Sequence, residues 1–189
     1  MSVLTMMPTA PELDVHLEQS TDLVGGVAAA VFDSPARTYR YLLTRVWDPT
    51  VPPVVFLMLN PSTASADEDD PTIRRIKGFA KSWGRGGVIV VNLFALCSTN
   101  PGRLRTHHDP VGRYNASFVQ HAIRQADLVV AAWGAGGVLA DRGPVMARAL
   151  VGQGVALKAL RLTSTGQPGH PLYVPADTQL IDYLPEVPA

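Results

Sequence analysis

The chain has 189 residues, of which 47% are hydrophobic and 17% are charged, with 16 Lys+Arg against 16 Asp+Glu. This composition is typical of a globular domain with a sizeable core, and the balanced charge excludes a global field that would attract nucleic acid. The single Cys97 excludes an intrachain disulfide and fits a reducing compartment. No apolar run approaches the roughly 20 residues that span a bilayer, and the N-terminus lacks the pattern of a secretory signal. We therefore expect a cytoplasmic protein with no membrane partner.

The first part of the chain predicts an arm followed by a hairpin. Residues 1–22 show no clear hydrophobic period, and we interpret them as a loosely ordered N-terminal arm preceding a single α/β domain over residues 23–189. Two β-rich segments follow, 27–32 and 38–47, separated by the turn cluster Asp33-Ser34-Pro35-Ala36. This arrangement predicts an antiparallel hairpin at the edge of a sheet.

An uninterrupted apolar run over residues 54–59 predicts a strand that is buried on both faces of a sheet. Pro61 cannot donate to a sheet ladder and disfavours helix at Asn60, so the strand should end there. In open α/β sheets, ligands bind beyond the carboxyl ends of the strands. Asn60, Pro61, Ser62 and Thr63 therefore occupy an expected ligand position. The alternative is an ordinary turn, because turns are often built from Asn, Pro and Ser.

The remainder of the chain alternates between helical and strand patterns. Asp70 followed by Pro71 predicts a helix start, and apolar residues at helical spacing continue this helix to Gly84. Further strands are predicted near 86–94, 127–134 and 156–162, and further helices at 116–125 and 143–151. This alternation predicts a three-layer α/β/α sandwich with a mostly parallel central sheet.

The carboxyl ends of four predicted strands should meet at one edge of such a sheet, where their side chains would line a single pocket. These ends carry Asn60, Asn92 with Phe94, Trp133 with Gly134, and a loop that contains His170. The set offers carboxamides, hydroxyls, an imidazole and aromatic surface, but no acid, so it is a poor match for a hydrolase triad. Cys97 and the five His residues show no metal-ligand spacing, and no phosphate-binding loop follows the first strand, so we predict neither metal nor cofactor. A flat, polar, uncharged ligand such as a nucleobase fits this set better.

The chain resembles two families through short phrases. LNPSTA, DDPTIRR, VVNLFA, WG and TGQPGHPLY, in this order, resemble a bacterial family known as domain of unknown function 1643, over about residues 39–173. A more distant resemblance is to the uracil-DNA glycosylase superfamily, which has a three-layer α/β/α fold with a parallel central sheet. Its first motif follows a buried strand in a form such as Gly-x-Asp-Pro or Gly-x-Asn-Pro, and its last motif opens with His-Pro. Here Leu57-Met58-Leu59-Asn60-Pro61 and His170-Pro171 resemble these two motifs, with Val91-Asn92-Leu93 and Trp133-Gly134-Ala135 in the places between.

The glycosylase resemblance implies hydrolysis of an N-glycosidic bond in a nucleic acid or nucleotide. That reaction passes through an oxocarbenium-like state while negative charge builds on the departing base. By this resemblance Asn60 would place the attacking water, and His170 would donate to the base oxygen, an interaction that can be worth roughly 3–4 kcal/mol. The alternative, from another class, is a non-catalytic nucleic-acid or nucleotide binding module on the same fold.

Two departures from the superfamily pattern affect the expected chemistry. Asn60 cannot act as a general base in the way that Asp could. Leu172-Tyr173 stands where a duplex-opening enzyme would carry a wedge loop of small residues. A free or single-stranded base is therefore favoured over a base in duplex DNA.

Several charged or aromatic residues have two interpretations. The acidic loop from Asp67 to Asp70 could bind Mg²⁺, although a solvated loop with an Asp cap is more common. Arg74 and its basic neighbours on the predicted helix, and Arg103 in a second basic loop, would contact a phosphate if they rim the pocket, although a solvated helix face is more frequent. Trp133 would either stack on a base or pack in the core.

Overall fold

The computed structural model describes residues 8, 13–62, 64, 66 and 68–185. Within these residues the centre of the molecule is an eight-stranded sheet with the order β1-β2-β3-β5-β4-β6-β7-β8. The strands are β1 (His16–Thr21), β2 (Val27–Phe32), β3 (Arg40–Val46), β4 (Val54–Met58), β5 (Gly87–Asn92), β6 (Val129–Ala131), β7 (Leu157–Ala159) and β8 (Ile181–Asp182). The α-helices are α1 (Pro71–Ser82), α2 (Arg103–Thr106), α3 (Asn115–Ile123) and α4 (Arg142–Gly152), and there are 3₁₀ helices at Ala135–Asp141 and Pro171–Tyr173. None of the helices in the described ranges is long and apolar enough to cross a membrane.

The sheet is mixed, with a parallel centre and antiparallel sides. Strands β5, β4, β6 and β7 pair in parallel, whereas β1–β2, β2–β3, β3–β5 and β7–β8 are antiparallel pairs. The predicted α/β class is confirmed, but the prediction of a mostly parallel sheet is wrong. The first three strands are joined by connections at 22–26 and 33–39, which are too short for the crossover that parallel strands require.

The outermost strand, β1, lies in the stretch that was predicted to be a loosely ordered arm. All six of its residues pair with β2. The carboxylate of Asp22 accepts hydrogen bonds from the amides of Val24 and Gly26, and Gly25 adopts a φ of 86°, so a tight turn closes this hairpin. The arm prediction is therefore wrong for His16–Thr21, and the predicted hairpin of β2 and β3 is present but does not lie at the edge. Residues 1–7 and 9–12 of the arm lie outside the described residues.

Strand β4 is apolar throughout because helices cover both faces of the sheet. Along β4, Val55 and Leu57 pack in a hydrophobic cluster with residues of α3 and α4, whereas Phe56 and Met58 pack in a second cluster with residues of α1. Helix α1 begins as predicted, since Asp70 caps it by accepting the Ile73 amide at 2.8 Å and Pro71 takes the first helical position.

The amino end of β3 lies at the same edge of the sheet as the carboxyl ends of β4, β5 and β6, because β3 runs in the opposite direction. The parallel strands β4, β5 and β6 have their carboxyl ends together. Strand β3 runs antiparallel to β5, with Leu43 opposite Val90, and the Arg40 amide donates to the carbonyl of Ala95 at 2.9 Å. The amino end of β3, which carries the buried side chain of Arg40, therefore lies at the edge where the sequence predicts a ligand.

Candidate functional site

A pocket of about 330 Å³ lies at this edge of the sheet, a volume within the range of small-molecule sites. The residues on its wall that the sequence singled out for a role at the site are Asn60, Ser62, Asn92, Trp133, Gly134 and His170. The residues that were not assigned to it include Arg40, Asp70, Thr72, Ser98, Thr99 and Tyr173. The structure thus brings the far-separated strand ends to one pocket, while the role of each residue there stays a prediction.

Other predicted substrate-binding residues do not line this pocket. Phe94 is buried in the cluster on the α3–α4 side of the sheet, so the structure corrects its assignment from a ligand contact to a core residue. Pro61 is also buried and is absent from the pocket wall. Arg74 and Arg103 lie on exposed faces of α1 and α2, because the neighbouring apolar residues of each helix take the buried positions. Thr63 lies outside the described residues.

Asn60 ties the loop after β4 to the loop after β5. Its Nδ2 donates to the carbonyls of Pro61 at 2.9 Å and Ser98 at 2.8 Å, and the Ser98 amide donates to the Pro61 carbonyl at 2.9 Å. Because these partners are acceptors, the carboxamide nitrogen must face the backbone. The side-chain oxygen of Asn60 is therefore the atom left to hold a water or a ligand donor.

His170 is held as a neutral hydrogen-bond donor. Its Nδ1 accepts the Leu172 amide at 3.3 Å, so the proton of the neutral ring resides on Nε2. Burial lowers the pKa of His170 from its ordinary value of 6.5, and the nearby carboxylate of Asp70 opposes this shift only in part. At pH 7 the imidazole is thus uncharged, with an N–H group that can donate to a ligand.

Two neighbouring elements fix the turn that carries His170. Gly134, three residues after β6, has a φ of 69°, which favours glycine, and its amide donates at 2.8 Å to the carbonyl two residues before His170. From α1, the guanidinium of Arg75 donates to the carbonyls of Pro171 and Val174. Arg75 was grouped with the basic residues that could track phosphates, but its contacts show that it holds the His170 turn against α1.

Two buried donors at the pocket wall lack a hydrogen-bond partner within the described part of the chain. Asn92 is 2% exposed and its Nδ2 is unpartnered, while Arg40 is 3% exposed and its Nε is unpartnered. The Nη1 of Arg40 donates to the carbonyl of Ala64 at 2.6 Å. Burial lowers the pKa of Arg40 to about 10, so it remains a cation at pH 7. Since unpaired buried donors are costly, this pair indicates a ligand that brings acceptor atoms.

Asp70 brings to the pocket an acid that was not expected among the strand ends. Its carboxylate both caps α1 and lines the pocket. The adjacent Asp69 instead forms ion pairs with Arg45 at 2.8 Å and Lys77 at 2.6 Å. No cluster of three or more His, Cys, Asp or Glu side chains suited to a metal occurs among the described residues, which do not include Asp67. The Asp-Pro sequence identified Asp70 as a cap, but its position at the pocket is a tertiary property that the local sequence does not show.

The exposed aromatic surface at the pocket belongs to Tyr173. Trp133 is 1% exposed, its Nε1 donates to Oε1 of Gln167 at 2.9 Å, and a Cβ added at Gly137 would approach its indole to 2.0 Å. Of the two interpretations of Trp133, core packing is thus the one that the structure supports. Tyr173 is 74% exposed and its ring centroid lies 5.5 Å from that of His170. An exposed aromatic face of this kind is suited to stacking on a base.

The hydrogen bonds that the Asn60 nitrogen donates to two carbonyls predict that aspartate is unfavourable at this position. Asn60→Asp would place a carboxylate oxygen against the carbonyls of Pro61 and Ser98, so we expect the free energy of unfolding at pH 7 to fall by about 1–3 kcal/mol. The carboxyl pKa should rise in the folded state, so this loss should shrink as the pH falls toward 4, where a protonated carboxyl can donate. Urea unfolding at both pH values measures the effect.

Asn100→Asp is the matched control, because Asn100 uses its side-chain oxygen to accept the Gly102 amide at 2.9 Å and aspartate can do the same. Its free energy of unfolding should stay within about 0.5 kcal/mol of wild type. Equal stability of Asn60→Asp and wild type at pH 7 would contradict the donor role of Asn60.

The burial of His170 predicts a titration midpoint below 6.5 in the folded protein. The unfolded chain therefore binds this proton at a higher pH than the folded protein does, and stability should fall as the pH drops from 6.5 toward the folded pKa. An NMR titration of the imidazole, assigned by the loss of its signal in His170→Ala, measures the midpoint directly. A midpoint above 6.5 would refute the neutral-donor state.

No curated protein and no solved structure matches the chain. The family described as protein of unknown function (DUF1643) matches residues 40–172, nearly the same stretch over which the sequence phrases predicted this relationship. Because this match spans most of the chain, the protein belongs to the DUF1643 family.

Proposed function

We propose that the pocket binds a nucleobase and that the protein hydrolyses an N-glycosidic bond in a nucleic acid or nucleotide, in the manner of uracil-DNA glycosylases. The observation that carries this proposal is the state of His170, a neutral imidazole with its proton on Nε2, at the same pocket as Asn60 and Asn92. Such a donor stabilises negative charge that develops on a leaving group without requiring a charged ground state. The resemblance to the glycosylase motifs agrees with this arrangement.

Base recognition in this proposal uses three side chains. The exposed ring of Tyr173 stacks on the base, and the unpartnered Nδ2 of Asn92 donates to a base oxygen. The Nε2–H of His170 donates to the oxygen on which charge builds. Since both polar groups act as donors, bases that carry carbonyl oxygens, such as uracil and hypoxanthine, fit better than bases that present amino groups.

The hydrolytic step requires a water and a means of accommodating charge on the sugar. The side-chain oxygen of Asn60 holds the water, and the carboxylate of Asp70 supplies negative charge that favours an oxocarbenium-like state. The electron pair of the C1′–N bond leaves with the base and the water oxygen bonds to C1′. One proton of that water ends on the base nitrogen.

A non-catalytic nucleotide-binding module is the second candidate. The observation that favours it is the hydrogen bonding of Asn60, whose nitrogen is committed to backbone carbonyls and whose oxygen cannot accept a proton as a general base. This candidate shares the pocket and the base contacts with the first, so only a measurement of bond cleavage separates the two.

The test measures free base released from single-stranded DNA, single-stranded RNA and mononucleotides that contain uracil, hypoxanthine, adenine or cytosine. We expect wild-type protein to release uracil or hypoxanthine in preference to adenine or cytosine, and His170→Ala to reduce kcat by about 10²–10³ because one oxyanion donor is lost. Binding of the substrate, measured by calorimetry, should change little. His108→Ala is the matched control, because His108 is exposed and does not line the pocket.

Three results would change this account. Binding without release of any base would support the non-catalytic module. Equal rates for His170→Ala and wild type would remove the role of His170. Neither binding nor release with any substrate of the panel would refute both candidate functions.

A further inference from the structure

Arg40 is a buried cation that forms no ion pair with a carboxylate of a described residue, and the charge of Asp70 acts on it only through space. The ion pairs in the described ranges use other basic residues, among them Arg45, Lys77 and Arg85. Arg40 makes a single side-chain hydrogen bond to a described residue, from Nη1 to the Ala64 carbonyl, and its Nε has none. A buried charge normally persists only when it is paired and hydrogen-bonded. Its position at the pocket wall makes a ligand the natural source of the acceptor that Nε lacks among the described residues.

The surroundings of Arg40 favour an anion with several acceptor oxygens. The hydroxyls of Ser62, Thr72 and Thr99 line the same pocket. The carboxylate of Asp70, which also lines the pocket, is engaged with the first turn of α1 through the Ile73 amide. A guanidinium that shares a pocket with hydroxyl donors is an arrangement with which proteins bind phosphate, because the planar fork matches two oxygens at once.

We propose that Arg40 binds a phosphate group of the ligand, so that the substrate is a phosphorylated nucleoside rather than a free nucleoside or base. The nucleoside part of this inference rests on the proposed function, whereas the phosphate part rests on Arg40 itself. The exposed Arg74 and Arg103, which the sequence suggested for this role, do not line the pocket. A buried arginine also distinguishes a phosphate more strongly than an exposed one, since water does not compete for its donors.

Calorimetry with inorganic phosphate, uridine, uridine 5′-monophosphate and a short single-stranded oligonucleotide tests the inference. Wild-type protein should bind the monophosphate at least about ten-fold more tightly than uridine, the gain expected from a charge-assisted hydrogen bond. Arg40→Gln should abolish that preference, and Arg40→Lys should retain part of it through charge alone. Arg103→Gln is the matched control and should bind like wild type. The oligonucleotide distinguishes a backbone phosphate from the phosphate of a mononucleotide.

A second measurement uses wild-type protein, since the loss of the Ala64 contact could destabilise Arg40→Gln. The Nε–H resonance of Arg40, assigned by its absence in Arg40→Lys, should move downfield when uridine 5′-monophosphate is added, because the unpartnered Nε gains an acceptor. An unmoved resonance with bound monophosphate would overturn the inference. Equal affinity of wild type for uridine and its monophosphate would overturn it as well.

The two proposals fail separately. If no base is released but phosphate binding still depends on Arg40, the hydrolysis proposal is refuted and the phosphate site stands. If base is released equally well from uridine and its monophosphate, and Arg40→Gln does not alter the rate, the phosphate site is refuted and the glycosidase stands.

Discussion

The parallel pairing of β4 with β5 and β6 is the constraint on which the candidate site depends. It aligns Met58 with Asn92 and Leu57 with Ala131, so chain segments from three parts of the sequence end side by side. The helices on both faces bury these strands. Because β3 runs in the opposite direction beside β5, its first residue, Arg40, joins the same edge. The candidate site therefore combines the carboxyl ends of β4, β5 and β6 with the amino end of β3, because of the way these strands pair.

The pocket combines groups that are satisfied by the fold with groups that are not. The nitrogen of Asn60 and the Nδ1 of His170 are bound to backbone groups, which fixes the orientation of each side chain. The donors of Asn92 and Arg40 remain without a described partner although both residues are buried. A fold selected for stability alone would pair such donors or replace them, since each unpaired group costs free energy. Their presence at a single pocket is the physical basis for proposing a polar, acceptor-rich ligand.

Sequence reasoning predicted the α/β class, the start of α1 and the meeting of Asn60, Asn92 and His170, because each depends on local patterns and on one general rule about parallel strands. It missed β1, whose pairing is a tertiary property of a polar segment. It missed Arg40 for a related reason. Arg40 lies at the start of a strand, and nothing in the local sequence shows that β3 would lie antiparallel to β5. The positions of Asp70 and Tyr173 at the pocket are tertiary properties, which short-range sequence patterns do not determine.

Chemical-shift mapping of the backbone amides during titration with uridine 5′-monophosphate tests the central claim most directly, because it locates the ligand without altering the protein. We expect the largest changes at the amides of Asn60, Asn92, Gly134, His170 and Tyr173, which line the pocket at the sheet edge. Changes confined to the separate pocket lined by Ser20, Lys77 and Lys81, or no changes at a saturating concentration, would contradict the account.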